Sequence, residues 1–125
     1  MSPAGAEAVI REYFRSVNDE DWEALGRVWA DECEMVAVGG PPRRGREDVV
    51  GAYRRFMAMF PTHRDEPGRI LVCGDSATVE VHFEATNLAG GPVELECVDV
   101  IDFEDGRFRR LTFWCDLDVL RRQLP

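Results

Sequence analysis

The chemistry in this sequence begins with an acid on the wrong side of a strand. Along a strand from Val93 to Phe103 the side chains alternate in direction, so Val93, Leu95, Cys97, Asp99, Ile101 and Phe103 share one face, with Glu94, Glu96 and Asp102 on the other. Only Asp99 breaks the apolar row. A carboxylate without partners is costly in apolar surroundings, and desolvation favours its neutral acid, a hydrogen-bond donor able to stabilise an enolate-like oxygen. Tyr13 stands on the apolar stripe Val9, Ile10, Tyr13, Phe14, Val17 of a helix, so its hydroxyl also faces inward and needs a partner. Asp99 or Tyr53, on a second amphipathic helix, could be that partner.

Other titratable side chains are weaker candidates. His82 shares parity with Glu80 and Glu84, opposite Val79, Val81 and Phe83, so it should face solvent or a subunit partner. His63 falls in the expected loop after the third helix, solvated or at a pocket mouth. The role of Asp116 depends on the hairpin after Phe103. A three-residue loop, Glu104 to Gly106, puts Leu111, Phe113 and Cys115 on the face of Asp99; a two-residue Asp105-Gly106 turn presents Thr112, Trp114 and Asp116 instead. The first is expected because it keeps the apolar row inside; the second would make Asp116 a candidate base.

The elements that carry these residues fall into two blocks. Ser2-Pro3 starts a helix that runs to Asn18; Trp22, Leu25, Val28 and Trp29 mark a shorter one ending near Asp31; Arg46 to Phe60 forms a third. A short strand spans Glu34 to Val38 and stops at Gly39-Gly40-Pro41-Pro42, after which Arg43 and Arg44 sit in a loop. Four strands follow, Arg69 to Cys73, Thr78 to Thr86, Pro92 to Phe103 and Arg107 to Cys115, separated by Gly74-Asp75, Gly90-Gly91 and Asp105-Gly106. Helices first and a meander after imply an α+β fold with a curved, mainly antiparallel sheet covered on one face.

With 125 residues the chain suits one domain, 1–125, burying about two-thirds of its unfolded surface. A net charge of −9 argues against nucleic acid. All fifteen basic residues are arginine, which reads as genome composition. No apolar run approaches the ~18 residues of a membrane span, and the N-terminus MSPAGAEAVIREYF lacks a leader pattern, so a cytoplasmic location is the default expectation. Cys33, Cys73, Cys97 and Cys115 lack a zinc-binding spacing and read as small buried thiols; no metal is expected.

The segments IREYFRSVNDEDWEALGRVWADE, GGPPRRGREDVVGAYRRF and VELECVDVIDFEDGRFRR together resemble the SnoaL-like branch of the nuclear transport factor 2-like superfamily. The resemblance implies a cone in which three N-terminal helices and a concave sheet enclose a pocket for an apolar small molecule. Similar folds serve ketosteroid isomerases, polyketide cyclases, epoxide hydrolases, dehydratases and non-catalytic binders. Against the isomerases, Tyr13 and Asp99 fall on the oxyanion-binding pair and Tyr53 on its supporting tyrosine. The isomerase base falls on Ala37. The histidine and aspartate of SnoaL-type cyclases fall on Leu111 and Phe113, and an arginine needed by limonene epoxide hydrolase falls on Cys97.

The expectation is a cofactor-independent isomerase-, cyclase- or dehydratase-like protein for a small apolar carbonyl compound, or else a non-catalytic binder. Tyr13, Asp99 and Tyr53 form its oxyanion site, with Asp116, His63 and Cys115 the candidate bases. Phe14, Val17, Trp29, Phe56, Phe60, Val81, Phe83, Cys97, Phe113 and Cys115 are expected to line the pocket. The outward Val98, Val100 and Trp114 suggest a homodimer surface.

Overall fold

The computed structural model describes all 125 residues. Helix α1 (Pro3–Asn18) starts where Ser2 Oγ accepts a hydrogen bond from the Gly5 amide at 3.0 Å, with Pro3 in the first turn. Its inward stripe is Ala6, Ile10, Tyr13, Phe14 and Val17, while Arg11 pairs with Glu7 and Arg15 with Glu12 on the outer side. Asp21 caps α2 (Trp22–Val28), which ends three residues before the expected position because Trp29 enters an extended segment. Helix α3 (Arg46–Met57) likewise stops short of Phe60.

Six strands form one sheet in the order β2-β1-β6-β5-β4-β3: β1 (Trp29–Ala37), β2 (Arg43–Arg44), β3 (Thr62–Cys73), β4 (Ser76–Thr86), β5 (Pro92–Glu104) and β6 (Arg107–Cys115). Only β1 and β6 run parallel. The result is the α+β cone: an open, curved, mostly antiparallel sheet with helices packed on its concave face, where Ile10, Val17, Leu25, Trp29, Ile101, Phe108 and Leu111 are fully buried. Removing a side chain of that size from water contributes about 1.5–3 kcal/mol.

Several boundaries differ from the sequence expectation. The first long strand begins at Trp29, five residues early, and the Arg43-Arg44 loop is a two-residue strand paired with it. The stretch Thr62 to Gly68, expected as loop, is the first half of β3. A short helix, α4 (Leu117–Arg122), follows the last strand and was not foreseen.

The β5–β6 hairpin corrects the expected loop while keeping the expected face. Its turn has two residues, with φ of 50° at Asp105 and 77° at Gly106, the positive values that such a tight hairpin requires. Glu104 pairs with Arg107 and Phe103 with Phe108, but Asp102 pairs with Arg110, so Arg109 is an extra, bulged residue. That bulge flips the parity back. Asp99 lies opposite Phe113, Ile101 opposite Leu111, and Trp114 points outward.

Candidate functional site

Between α1, α3, α4 and the concave sheet lies a cavity of about 260 Å³, lined by Tyr13, Met35, Ala37, Arg43, Ala52, Tyr53, Phe56, Met57, Asp65, Val81, Phe83, Leu95, Asp99, Phe113, Leu117 and Leu120. Its wall is apolar except for two tyrosines, two aspartates and one arginine. A wider, open groove of about 1260 Å³ between α2 and α3 is lined by charged side chains such as Arg27, Arg44, Arg54 and Arg55. None of the buried, unpartnered polar atoms belongs to that groove, whereas Asp99 Oδ1 belongs to the inner cavity. The enclosed site is the candidate.

Asp99 is 3% exposed and makes no side-chain hydrogen bond. Its β5 position is set by the ladder to Val79 on one side and Phe113 on the other, so the carboxyl projects from the middle of the sheet. Burial, with a further contribution from the negative charge of Asp65, raises its pKa well above the carboxylate range. Burial therefore favours the neutral acid, whose hydroxyl is a hydrogen-bond donor.

Helices supply the hydroxyls. Tyr13 and Tyr53 share a hydrogen bond of 2.8 Å in which either oxygen can donate. Burial raises both phenols well above their ordinary value, so both stay protonated. Aromatic packing fixes them: Phe14 lies edge-on to Tyr13 with centroids 4.8 Å apart, Phe108 lies 5.2 Å from Tyr13, and Trp29 lies 6.2 Å from Tyr53. Tyr13 has found Tyr53 as its partner, which leaves Asp99 Oδ1 unpartnered.

Asp65 was not singled out in the sequence. It stands on β3 opposite Phe83, half-buried, and its carboxyl has no hydrogen-bond partner. Loss of water raises its pKa to about 7. Because β3 is an edge strand, its outer backbone groups need a partner. Asn18, the last residue of α1, provides one: its Oδ1 accepts from the Asp65 amide at 2.8 Å and its Nδ2 donates to the Asp65 carbonyl at 2.9 Å. Arg43, half-buried on β2, also reaches the wall and forms no ion pair.

Of the expected lining, Phe56, Val81, Phe83 and Phe113 reach the cavity. The others stand behind it. Phe14 and Trp29 buttress the tyrosines, Val17 is wholly buried in the core, and Phe60 packs on Phe56 and Phe83 at 5.2 Å from each ring. Cys97 and Cys115 face each other across β5 and β6 outside the lining, and burial raises both thiols, which makes Cys115 a poor base. Cys73 is exposed, against the expectation of four buried thiols.

Asp116 is exposed and spent on local structure: it caps α4, accepting from the Asp118 and Val119 amides at 3.0 and 3.2 Å. His63 belongs to β3, with a side chain 4% exposed and Nε2 3.7 Å from Glu20, neither solvated nor at the cavity. His82 faces outward as expected, bonded to Glu96 and Glu84. His82, Glu84 and Glu94 are the group whose ligand atoms all fall within 4.8 Å of one another, in reach of a metal, but they lie on the convex face away from the cavity.

The model of the SnoaL-like domain matches residues 10–111. The chain belongs to the SnoaL-like family. Solved structures share its fold across nearly the whole length. A nuclear transport factor 2-like protein of unknown function from Burkholderia pseudomallei K96243 is 19% identical, with 98% of each chain covered and a TM-score of 0.89. A protein with a ketosteroid isomerase-like fold from Catenulispora acidiphila DSM 44928, in complex with trimethylamine, is 19% identical, with 94% of this chain and 93% of that one covered and a TM-score of 0.85. An epoxide hydrolase from Mycobacterium tuberculosis, similar to limonene epoxide hydrolase, is 18% identical, with 96% and 92% covered and a TM-score of 0.81. A comparison with curated proteins found no match. No helix of this SnoaL-like chain is long and apolar enough to cross a membrane.

Proposed function

We propose that this SnoaL-like protein binds a small, largely apolar carbonyl compound in the inner cavity and promotes isomerisation, cyclisation or dehydration through an enolate. One observation carries the reading: a buried, unpartnered Asp99, its pKa raised by burial, beside a hydrogen-bonded tyrosine pair in a largely apolar wall. In this reading Tyr53 takes the donor role toward Tyr13, which leaves the Tyr13 proton for the ligand oxygen, and Asp99 supplies a second donor. Donors held in place before charge develops stabilise an oxyanion more than water does, because they need no reorganisation. Proton transfer of this kind requires no cofactor. Arg43 adds a preference for a ligand with an acidic or electronegative group at the far end.

The test is a carbon-13 NMR titration of the Asp99 carboxyl, assigned with Asp99→Asn, with and without 2-naphthol as an enolate mimic. The expected result is a carboxyl protonated through pH 7 that shifts when the phenol binds. Ionisation near pH 4 and indifference to the phenol would remove the oxyanion site.

The second reading, a binder without chemistry, draws on Ala37, Leu111 and Phe113, which occupy positions where the resemblance implies catalytic groups. Ala37 and Phe113 do line the cavity, as hydrocarbon. Tight binding of 2-naphthol with no proton exchange in any enolisable ketone is the outcome that would favour it. In either case we propose a single domain acting as a homodimer joined through the outward face of β5 and β6.

A further inference from the structure

The oxyanion reading needs a base, and the resemblance places that base on Ala37, which has no proton-accepting group. We propose that Asp65, on the opposite edge of the sheet, is the base that takes the substrate's α-proton. The proposal rests on the oxyanion reading and adds the group that would make it catalytic.

Four observations converge on Asp65. It lines the same 260 Å³ cavity as Tyr13, Tyr53 and Asp99, so a bound carbonyl compound touches both walls. Its carboxylate is bound to nothing in the protein, unlike Asp116, which is consumed by a helix cap. Its backbone is clamped on both sides, by the β4 ladder at Phe83 and by the Asn18 amide, which holds the carboxyl at a fixed height on the wall. The other groups around the cavity cannot do its work. Tyr13 of α1 and Tyr53 of α3 stay protonated, burial drives Asp99 of β5 further toward its acid form, Arg43 of β2 is a cation, and the thiol of nearby Cys97 is raised by burial.

The division of labour follows from the two aspartates. Asp99 is the more deeply buried and remains an acid; Asp65, half open to the cavity with a pKa raised to about 7, is ionised above neutrality and basic enough to accept a proton. Pairs of carboxyls driven apart in this way mark the acid and the base of a site. In the step itself the α C–H bond breaks and an O–H bond forms on Asp65. The C–H electron pair becomes the enolate π bond, and the carbonyl oxygen takes the charge under Tyr13 and Asp99. Return of the proton to the same or another carbon completes exchange or isomerisation. Asp65 then carries a carbonyl-directed base in a family position where the resemblance assigns none.

The experiment follows deuterium uptake into 2-tetralone in deuterated water by proton NMR, alongside 2-naphthol binding, for wild type, Asp65→Asn and Asp65→Glu. Wild type should accelerate exchange over buffer, with a rate that rises through about pH 7. Asp65→Asn should lose at least about 100-fold in that rate while binding 2-naphthol within about 3-fold of wild type. Asp65→Glu, with the carboxylate kept but displaced, should restore part of the rate, which an indirect structural role would not do. Exchange by Asp65→Asn at the wild-type rate would overturn the base assignment. So would a wild type that binds 2-naphthol through Asp99 and exchanges nothing, an outcome that leaves the oxyanion site standing. Failure of wild type to bind 2-naphthol at all would overturn the oxyanion reading and the base with it.

Discussion

At the scale of residues, the site is defined by groups that the fold leaves without partners. Many surface charges here are paired, as Arg15 is with Glu12, Asp19 and Asp21. Asp65 and Asp99 are held out of water with no such compensation, and that costs stability. The sign can be worked out for Asp65. Its pKa rises from an ordinary 3.8 to about 7 on folding, so the native state binds the proton more tightly than the unfolded chain. The resulting stability is fully present below about pH 4 and is lost as pH rises to about 7. The full shift in a dry interior would correspond to ~4 kcal/mol, and the half-open carboxyl makes roughly 2 kcal/mol the better expectation. Asp65→Asn should therefore match wild type in urea unfolding near pH 3.5 and exceed it by about 2 kcal/mol at pH 8. Equal stabilities at both pH values would mean that Asp65 is hydrated and ionises normally.

At the scale of elements, what the sequence reveals is what alternates. Helices α1 and α3 and strands β4 to β6 carry regular apolar stripes or rows, and their type is readable from spacing alone. The first half of β3, Thr62 to Gly68, contains no large apolar residue, and a register break between Pro67 and Ile70 severs its parity from the readable half. Asp65 was hidden for that reason, although Asp99 stood out. The hairpin after β5 shows the opposite case: the apolar row identified the buried face of β6 correctly while the turn was misjudged, because the Arg109 bulge absorbs the missing residue. Helix α4 has six residues and its Asp116 cap looks from sequence like a free acid. Asn18 is the structural counterpart of Asp65, and its loss has a local signature. Asn18→Ala removes two hydrogen bonds to an edge strand, for an expected loss of about 1–3 kcal/mol. Hydrogen exchange should show the Asp65 amide released at least tenfold more than the amides of β4 and β5. Uniform acceleration across the sheet would mean that Asn18 supports the fold as a whole and not the position of Asp65.

At the scale of the molecule, the two faces of the sheet differ in what they leave exposed. The concave face is closed by helices, whereas the convex face leaves Trp114 52% exposed and its cross-strand neighbour Val98 37% exposed, with Leu71 at 53% on β3. The proposed dimer would lay a second copy across these side chains and remove them from water. Electrostatics works against this contact. Each chain carries −9, and Glu80, Glu84, Glu94 and Glu96 ring the same face, so pairing brings like charges together. His82 offsets part of it: hydrogen bonds to Glu96 and Glu84 raise its pKa, so its positive charge persists above the usual histidine range. Association should therefore strengthen as salt rises from 20 to about 200 mM, because screening weakens the repulsion and leaves the apolar contact. It should also strengthen as pH falls and His82 becomes fully charged. Sedimentation equilibrium across that salt range, and at pH values on either side of the His82 titration, checks both, with Trp114→Glu as the variant, expected to weaken the dimer by more than about 100-fold while leaving 2-naphthol binding in the inner cavity intact. A wild type that stays monomeric at about 100 µM in 200 mM salt would show that the convex face belongs to another kind of partner or to none.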